Sequence, residues 1–352
     1  MRLPFALRLW LQEHRGSVLT VLALAVLPFG LGLLEGQTPA QIIGSEAGAS
    51  KFVQGLLIEI FILGLYALSY DLVLGITGLL SFGHSMFFAV GAYTAGILLK
   101  SFGWPLWATV LGVIAASVAQ AGLFSVVLPR VRGITFALVT LGLASVFHII
   151  VQSRELEPWT GSDVGLQGVT PPPFLDPATA RLSFYFIALF FTVLTFAAYR
   201  RFVDSPTGKV CVAIRENEQR ALMLGYNTFH YKFIALLLAS LTAALAGMLH
   251  AFYQPIVSPN LAGVGFTVSA LLIILIGGVG TLSGALVGAA VFRLLEFFLS
   301  RLFSENASFL LGLIYVALVL FVPFGLVGTW RARQAQLQEA WENIRALLKR
   351  GR

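Results

Sequence analysis

The chain has 352 residues, 58% of them hydrophobic and only 11% charged, with a mean hydropathy of +0.87 and a net charge of +7. Soluble domains carry about 25% charged residues, so a water-coated globule is excluded and a helical bundle in a bilayer is expected. Basic residues gathering at the cytoplasmic face account for the net charge without a nucleic-acid partner, and one cysteine, Cys211, excludes an intrachain disulfide framework.

A spanning helix needs about 20 mostly apolar residues. In chain order, candidate spans cover 17–34, 53–75, 79–99, 104–128, 134–152, 183–199, 233–253, 262–279, 281–299 and 307–328. The first run is too long for a cleaved signal peptide and reads as a retained anchor. With the N-terminus inside, 17 of the 23 Lys and Arg residues fall in inner segments and five in outer ones. This predicts an all-α, polytopic membrane bundle of about ten spans with both termini cytoplasmic. Eight spans keep the same sidedness if 262–299 is a re-entrant hairpin. The domains are then a cytoplasmic segment 1–16, a membrane domain 17–328 and a tail 329–352. Apolar residues spaced among the tail's charges suit an amphipathic helix on the inner leaflet; a solvated, partly ordered tail is the competing reading.

Two aqueous segments stand out. The outer loop 153–182 holds Pro171-Pro172-Pro173 and several glycines, so irregular structure is expected. The inner loop 200–232 carries six basic and three acidic residues, and Cys211 to Leu224 lacks Gly and Pro and suits a short helix.

No catalytic constellation is present. No glycine precedes Gly208-Lys209 at the spacing of a phosphate-binding loop, and neither H-E-x-x-H nor G-x-S-x-G occurs. No Cys/His cluster has metal spacing. The chain therefore reads as a transporter subunit and not an enzyme, with no cofactor or metal of its own. Ionisable groups within spans are expensive and are functional candidates by default. Glu59 and Asp71 lie on the second span; Asp71 either faces a path or caps a helix end. His84 follows Gly83, and a helix-terminus hydrogen bond competes there with a role toward solute. Arg293 and Glu296, three apart, suit an intrahelical ion pair.

Two segments share the pattern G-x-x-G-x-L-S: Gly75-Ile76-Thr77-Gly78-Leu79-Leu80-Ser81, and Gly277-Gly278-Val279-Gly280-Thr281-Leu282-Ser283. Paired glycine-broken spans point to a transport site. Close packing through small residues is the competing reading. Candidate path residues are accordingly Glu59, Asp71, Gly75, Gly78, Ser81, His84, Gly277 and Gly280.

Residues Leu68 to Gly75, Ile76 to His84 and Phe87 to Thr94 resemble the LivM-type permeases of branched-chain amino-acid ABC importers. Arg132 to Leu141, Trp159 to Leu166 (the family's periplasmic T-G-G-S-D-G-L element) and the loop from Ser205 to Gly225 resemble the same family. The likeness covers roughly residues 53–328. It implies a permease of the bacterial inner membrane that moves branched-chain or related amino acids. It also implies a second, related permease, two ATPase subunits that hold ATP and Mg, and a periplasmic binding protein. Relatives within the class that carry urea, short amides or aromatic acids are an alternative, as is a stand-alone secondary transporter or channel. By resemblance the ATPase-coupling loop includes Arg215, Glu216, Glu218, Ala221 and Gly225. Of the family's E-A-A-x-x-x-G motif only Ala221 and Gly225 match, which leaves the individual contact residues open.

Overall fold

The computed structural model describes residues 15–44, 48–131 and 133–334. The segment before Arg15 and the expected amphipathic tail beyond Gln334 lie outside the described residues. Helices occupy all ten predicted segments: α1 (Arg15–Leu34), α2 (Ala49–Tyr70), α3 (Ser85–Lys100), α4 (Leu106–Val127), α5 (Ile134–Gln152), α6 (Arg181–Asp204), α8 (Thr228–Tyr253), α9 (Val264–Gly277), α10 (Ser283–Phe303) and α11 (Ala307–Phe321). Between α6 and α8 lies α7 (Pro206–Met223). Among the described residues, seven helices are long and apolar enough to cross a membrane. Leu111, Ile149, Leu313 and Leu320 are exposed on the bundle's outside, as expected where the solvent is hydrocarbon. The protein is therefore a multi-pass helical membrane protein.

The core is built around α2, whose Ile58, Leu65, Tyr66 and Leu68 are fully buried. In lipid, helices associate through close packing and not through expulsion of water. Small residues provide it here. A Cβ on Gly91 of α3 would overlap the Ala244 carbonyl of α8, and one on Gly247 would overlap the Phe88 carbonyl. The α9–α10 pair closes the same way, Gly277 against Gly284 and Gly288 against Ile273.

Three expectations change. The third span starts at Ser85 and not at 79, because α2 continues as a π-helical turn, Asp71–Ile76, and residues 77–84 are not helical. Gly78 has φ +75°, which turns the chain away from helical continuation. The last span breaks after Phe321, where Gly325 (φ +67°) abuts Gly278, and the chain resumes helix over 325–334. The inner-loop helix begins earlier than Cys211, because Ser205 caps it and Pro206 occupies its first turn.

The outer loop 153–182 is irregular, as expected, but it is tied down. Leu166–Gln167 pairs antiparallel with Ile256–Val257. The Tyr93 hydroxyl donates to the Val257 carbonyl at 3.0 Å, and the Thr160 hydroxyl donates to the Val151 carbonyl at 2.7 Å. This loop lies at one end of the bundle. The breaks at 77–84 and 278–282 and helix α7 lie at the other, the basic end.

Candidate functional site

The two glycine-broken segments meet in space. The Asp71 carboxylate is fully buried and accepts the Gly280 amide at 2.6 Å and the Leu282 amide at 3.0 Å. These amides precede α10, so their partial positive charge suits a carboxylate. Leu282 itself has φ +52°, a strained conformation for a residue with a Cβ. Such strain persists only where its surroundings fix it, and the Asp71 bond is one such fixture. Thr281 adds another: its hydroxyl donates to the Gly278 carbonyl at 2.7 Å and accepts the Gly284 amide at 3.0 Å.

The glycines at this junction have a steric reason. A Cβ on Gly75 would meet both the Asp71 carboxylate and the Gly280 backbone. One on Gly280 would lie 2.9 Å from the Gly75 carbonyl, and one on Gly78 would lie 2.7 Å from Arg215 Cγ. Non-helical backbone at membrane depth is tolerated only where protein or water covers it, and here one break covers the other. The helices flanking the breaks are short: α3 has 16 residues and α9 has 14.

Arg215 connects α7 to this junction. Its Nη1 donates to the Gly75 carbonyl, left open where the π-turn ends, and its Nη2 pairs with Glu216 at 2.7 Å. Helix α7 bends at Asn217, whose φ of −161° and ψ of 99° interrupt it. The Asn217 side chain then accepts the Arg220 amide at 3.0 Å and starts the second half. That half is fixed to α8 through Glu218, which accepts Lys232 Nζ at 2.6 Å and the Thr228 hydroxyl at 3.0 Å. Ala221 is buried, and Gly225 closes the helix with φ +86°. Cys211 is buried on the inner side of α7, and burial pushes its thiol up to about 11. Leu222, Met223, Leu224 and Tyr226 remain exposed beyond the bend.

His84 and Ser81 lie within the same broken stretch and are fully buried. The Ser69 hydroxyl donates to the Tyr66 carbonyl at 2.6 Å, which leaves it to accept from His84 Nε2 at 2.8 Å. The imidazole packs among Tyr66, Tyr70 and Phe87. Among the described residues the Tyr70 hydroxyl, Ser81 Oγ and His84 Nδ1 have no hydrogen-bond partner.

Glu59 stands apart from this junction. It pairs with Arg293 of α10 and accepts Gln254 Nε2 at 3.1 Å. Arg293 also bonds Glu296 at 2.7 Å, the intrahelical pair expected from their spacing. Arg293 as the partner of Glu59 and the Leu282 amide as the partner of Asp71 are the residues that sequence reasoning missed. The repeated G-x-x-G-x-L-S was the one signal that the two breaks belong together.

Comparison with known proteins follows the same lines. Residues 52–322 match the family described as branched-chain amino acid transport system / permease component. The chain is 28% identical over 286 residues to the high-affinity branched-chain amino acid transport system permease protein LivM of Escherichia coli K12, covering 74% of this chain and 66% of LivM. It thus spans just under two thirds of that relative's length. It is 26% identical over 289 residues to the permease protein LivH of the same organism, covering 75% of this chain and 90% of LivH. It is 25% identical over 284 residues to the permease protein BraD of Pseudomonas aeruginosa, covering 75% and 91%. No solved structure matches the chain.

Proposed function

The chain belongs to the permease component family of branched-chain amino acid transport systems, and from that premise we propose that it is a membrane subunit of an ATP-driven importer. Its relatives LivM, LivH and BraD are all transport permease proteins. On this reading the chain lies in a bacterial inner membrane with its basic end in the cytoplasm. It works with a second, related permease, two ATPase subunits that bind ATP and Mg, and a periplasmic binding protein. Branched-chain or related amino acids are its solutes. The residues 1–16 and 329–352 are cytoplasmic.

One observation carries the reading: Arg215 of α7 reaches into the bundle and bonds the Gly75 carbonyl where α2 breaks. A helix outside the spans therefore touches the paired broken segments directly. Its bent second half leaves Leu222, Met223 and Leu224 exposed for an ATPase surface. When the ATPases close on nucleotide, displacement of α7 is felt at Gly75, and through Asp71 at Gly280 and Leu282. A ligand shifts such an equilibrium only by binding its states unequally; nucleotide in the ATPase pair supplies that difference. Solute crosses as the path changes from one open side to the other. Buried polar groups need partners, so Tyr70, Ser81 and His84 are suited to line a polar stretch of that path. Glu59, Gly78 and Gly277 belong to it too, and Glu216, Glu218, Ala221 and Gly225 to the coupling loop.

The test is assembly and transport. The chain is co-expressed with its candidate second permease and ATPases, purified through a tag on one ATPase, and reconstituted with the binding protein. ATP-dependent uptake of labelled leucine is the expected result. Failure of any ATPase to co-purify, or uptake driven by a proton gradient without ATP, overturns the proposal.

A further inference from the structure

The second break is held from two directions. From within the bundle, Asp71 accepts its Gly280 and Leu282 amides. The helix over 325–334, beyond the interruption after Phe321, holds it from the other. That helix starts on a bare backbone contact. A Cβ on Gly325 would overlap the Gly278 amide, and one on Gly278 would lie 2.9 Å from the Phe324 carbonyl oxygen. Six residues on, about 9 Å along the helix, the exposed Arg331 donates from Nη2 to the Ser283 hydroxyl at 2.9 Å and to the Thr281 carbonyl at 3.5 Å. The Ser283 hydroxyl itself donates to the Thr281 carbonyl at 3.2 Å, which leaves its lone pairs to accept from the guanidinium. Beside these contacts the two surfaces part. A cavity of about 320 Å³ separates Leu275, Val279 and Thr281 from Phe324, Gly328 and Ala332.

Each break therefore meets an arginine from a flanking helix. Arg215 of α7 donates to the Gly75 carbonyl in the first, and Arg331 donates to Ser283 and Thr281 in the second. Gly75 opens one copy of the G-x-x-G-x-L-S pattern, and Ser283 closes the other. Ser283 also follows Leu282, whose amide is one of the two on Asp71. We propose that Arg331 is a positioning residue for transport: it sets the second break relative to 325–334, as Arg215 sets the first relative to α7. The bond lies at the surface, where a hydrogen bond exchanges with water at small net cost. It therefore suits a contact made in one state of the cycle and released in another. A close-packed contact would resist that movement, whereas a glycine contact beside a cavity leaves room for it. This role rests on the permease reading, which puts residues 329–352 in the cytoplasm together with α7.

The test uses the assembled, reconstituted transporter with Arg331→Ala, Ser283→Ala and the two combined. Each single change is expected to lower ATP-driven leucine uptake about fivefold, the worth of one hydrogen bond. The ATPases should still co-purify, and basal ATP hydrolysis and the melting temperature should match the wild type. The double variant should lose no more than either single one, because both changes remove the same bond. Arg331→Lys keeps a donor without the fork and should restore uptake in part.

Uptake within about twofold of the wild type in Arg331→Ala overturns the role, since a lost bond that mattered would cost more. Losses that multiply in the double variant overturn it too, by showing that the two side chains act separately. So does a melting temperature that falls in step with uptake, the mark of a purely structural clamp. If Arg331→Ala does not assemble, Ser283→Ala decides alone, and wild-type uptake in that variant overturns the role. Absence of ATP-driven leucine uptake in the wild type would instead refute the permease reading, and the role of Arg331 would fall with it.

Discussion

Asp71 and Gly280 stand 209 positions apart, yet the carboxylate of one accepts the amide of the other at 2.6 Å. That bond joins the broken end of α2 to the break between α9 and α10, and a second bond from the Leu282 amide, at 3.0 Å, makes the joint bidentate. Asp71 is thus spoken for by protein, and its first role is to hold two breaks in register.

Asp71→Asn tests that role with almost no change of shape. Asparagine offers one carbonyl oxygen and an amino group, so one of the two amides faces a donor. A buried donor left unmet costs about 1–3 kcal/mol, and more where the lost acceptor was charged. Thermal unfolding of the detergent-solubilised protein should show a lower midpoint, and uptake should fall with it. A variant that melts like the wild type would show that the Gly280 and Leu282 amides do not depend on the charge.

Arg215 is the second test. Arg215→Ala removes the donor to the Gly75 carbonyl and the packing against Gly78, but it leaves the exposed residues beyond the Asn217 bend in place. Separating binding from coupling is the purpose. Expected are full co-purification of the ATPases, leucine uptake reduced roughly tenfold, and ATP hydrolysis no longer raised by loaded binding protein. Arg215→Lys, which keeps charge but loses the fork, should rescue uptake only in part. If co-purification fails along with uptake, Arg215 contacts the ATPase and not only the bundle.

The helices were legible because a bilayer demands long apolar runs: a helix lies in each of the ten predicted segments, and among the described residues seven are long and apolar enough to cross a membrane. The start of α3 was not. Leu79 and Leu80 extend the apolar run, so only the π-turn at Asp71–Ile76 and the φ of Gly78 reveal that the chain has left the helix. The pairing of Asp71 could not be read either, since its partners are backbone amides that carry no residue signature. Arg293 was half legible. Its bond to Glu296 follows from helical spacing, while its bond to Glu59 crosses 234 positions and needs the packed bundle. Arg215 was legible as a loop residue, but its inward direction was not.

Close packing of α3 on α8 gives a stability prediction. Gly91→Ala places a methyl group into the Ala244 carbonyl, so the helices must separate. Overpacking of a tight contact costs typically about 1–3 kcal/mol. Gly142→Ala in α5 is the control: nothing lies within 4 Å of its Cβ position, and alanine is about 1 kcal/mol better than glycine within a helix. Melting curves of the two variants should move in opposite directions. If both shift alike, the glycine contact between α3 and α8 is not tight in solution.

Sidedness is open to direct measurement, and the structure decides which positions to use. Gly165 lies in the outer loop but is a poor choice: its φ is +86°, and a Cβ there would come within 2.5 Å of the Val257 carbonyl. The neighbouring Val164 is 68% exposed and has no such constraint, and Met223 at the end of α7 is 85% exposed. Each becomes a single reporter as Val164→Cys and Met223→Cys, because Cys211 is buried and unreactive at neutral pH. In right-side-out vesicles an impermeant maleimide should label residue 164 and spare residue 223. Inverted vesicles should reverse the pattern. Labelling of both positions from the same side would place α7 and the outer loop on one face of the membrane, and would remove the basis for coupling through Arg215.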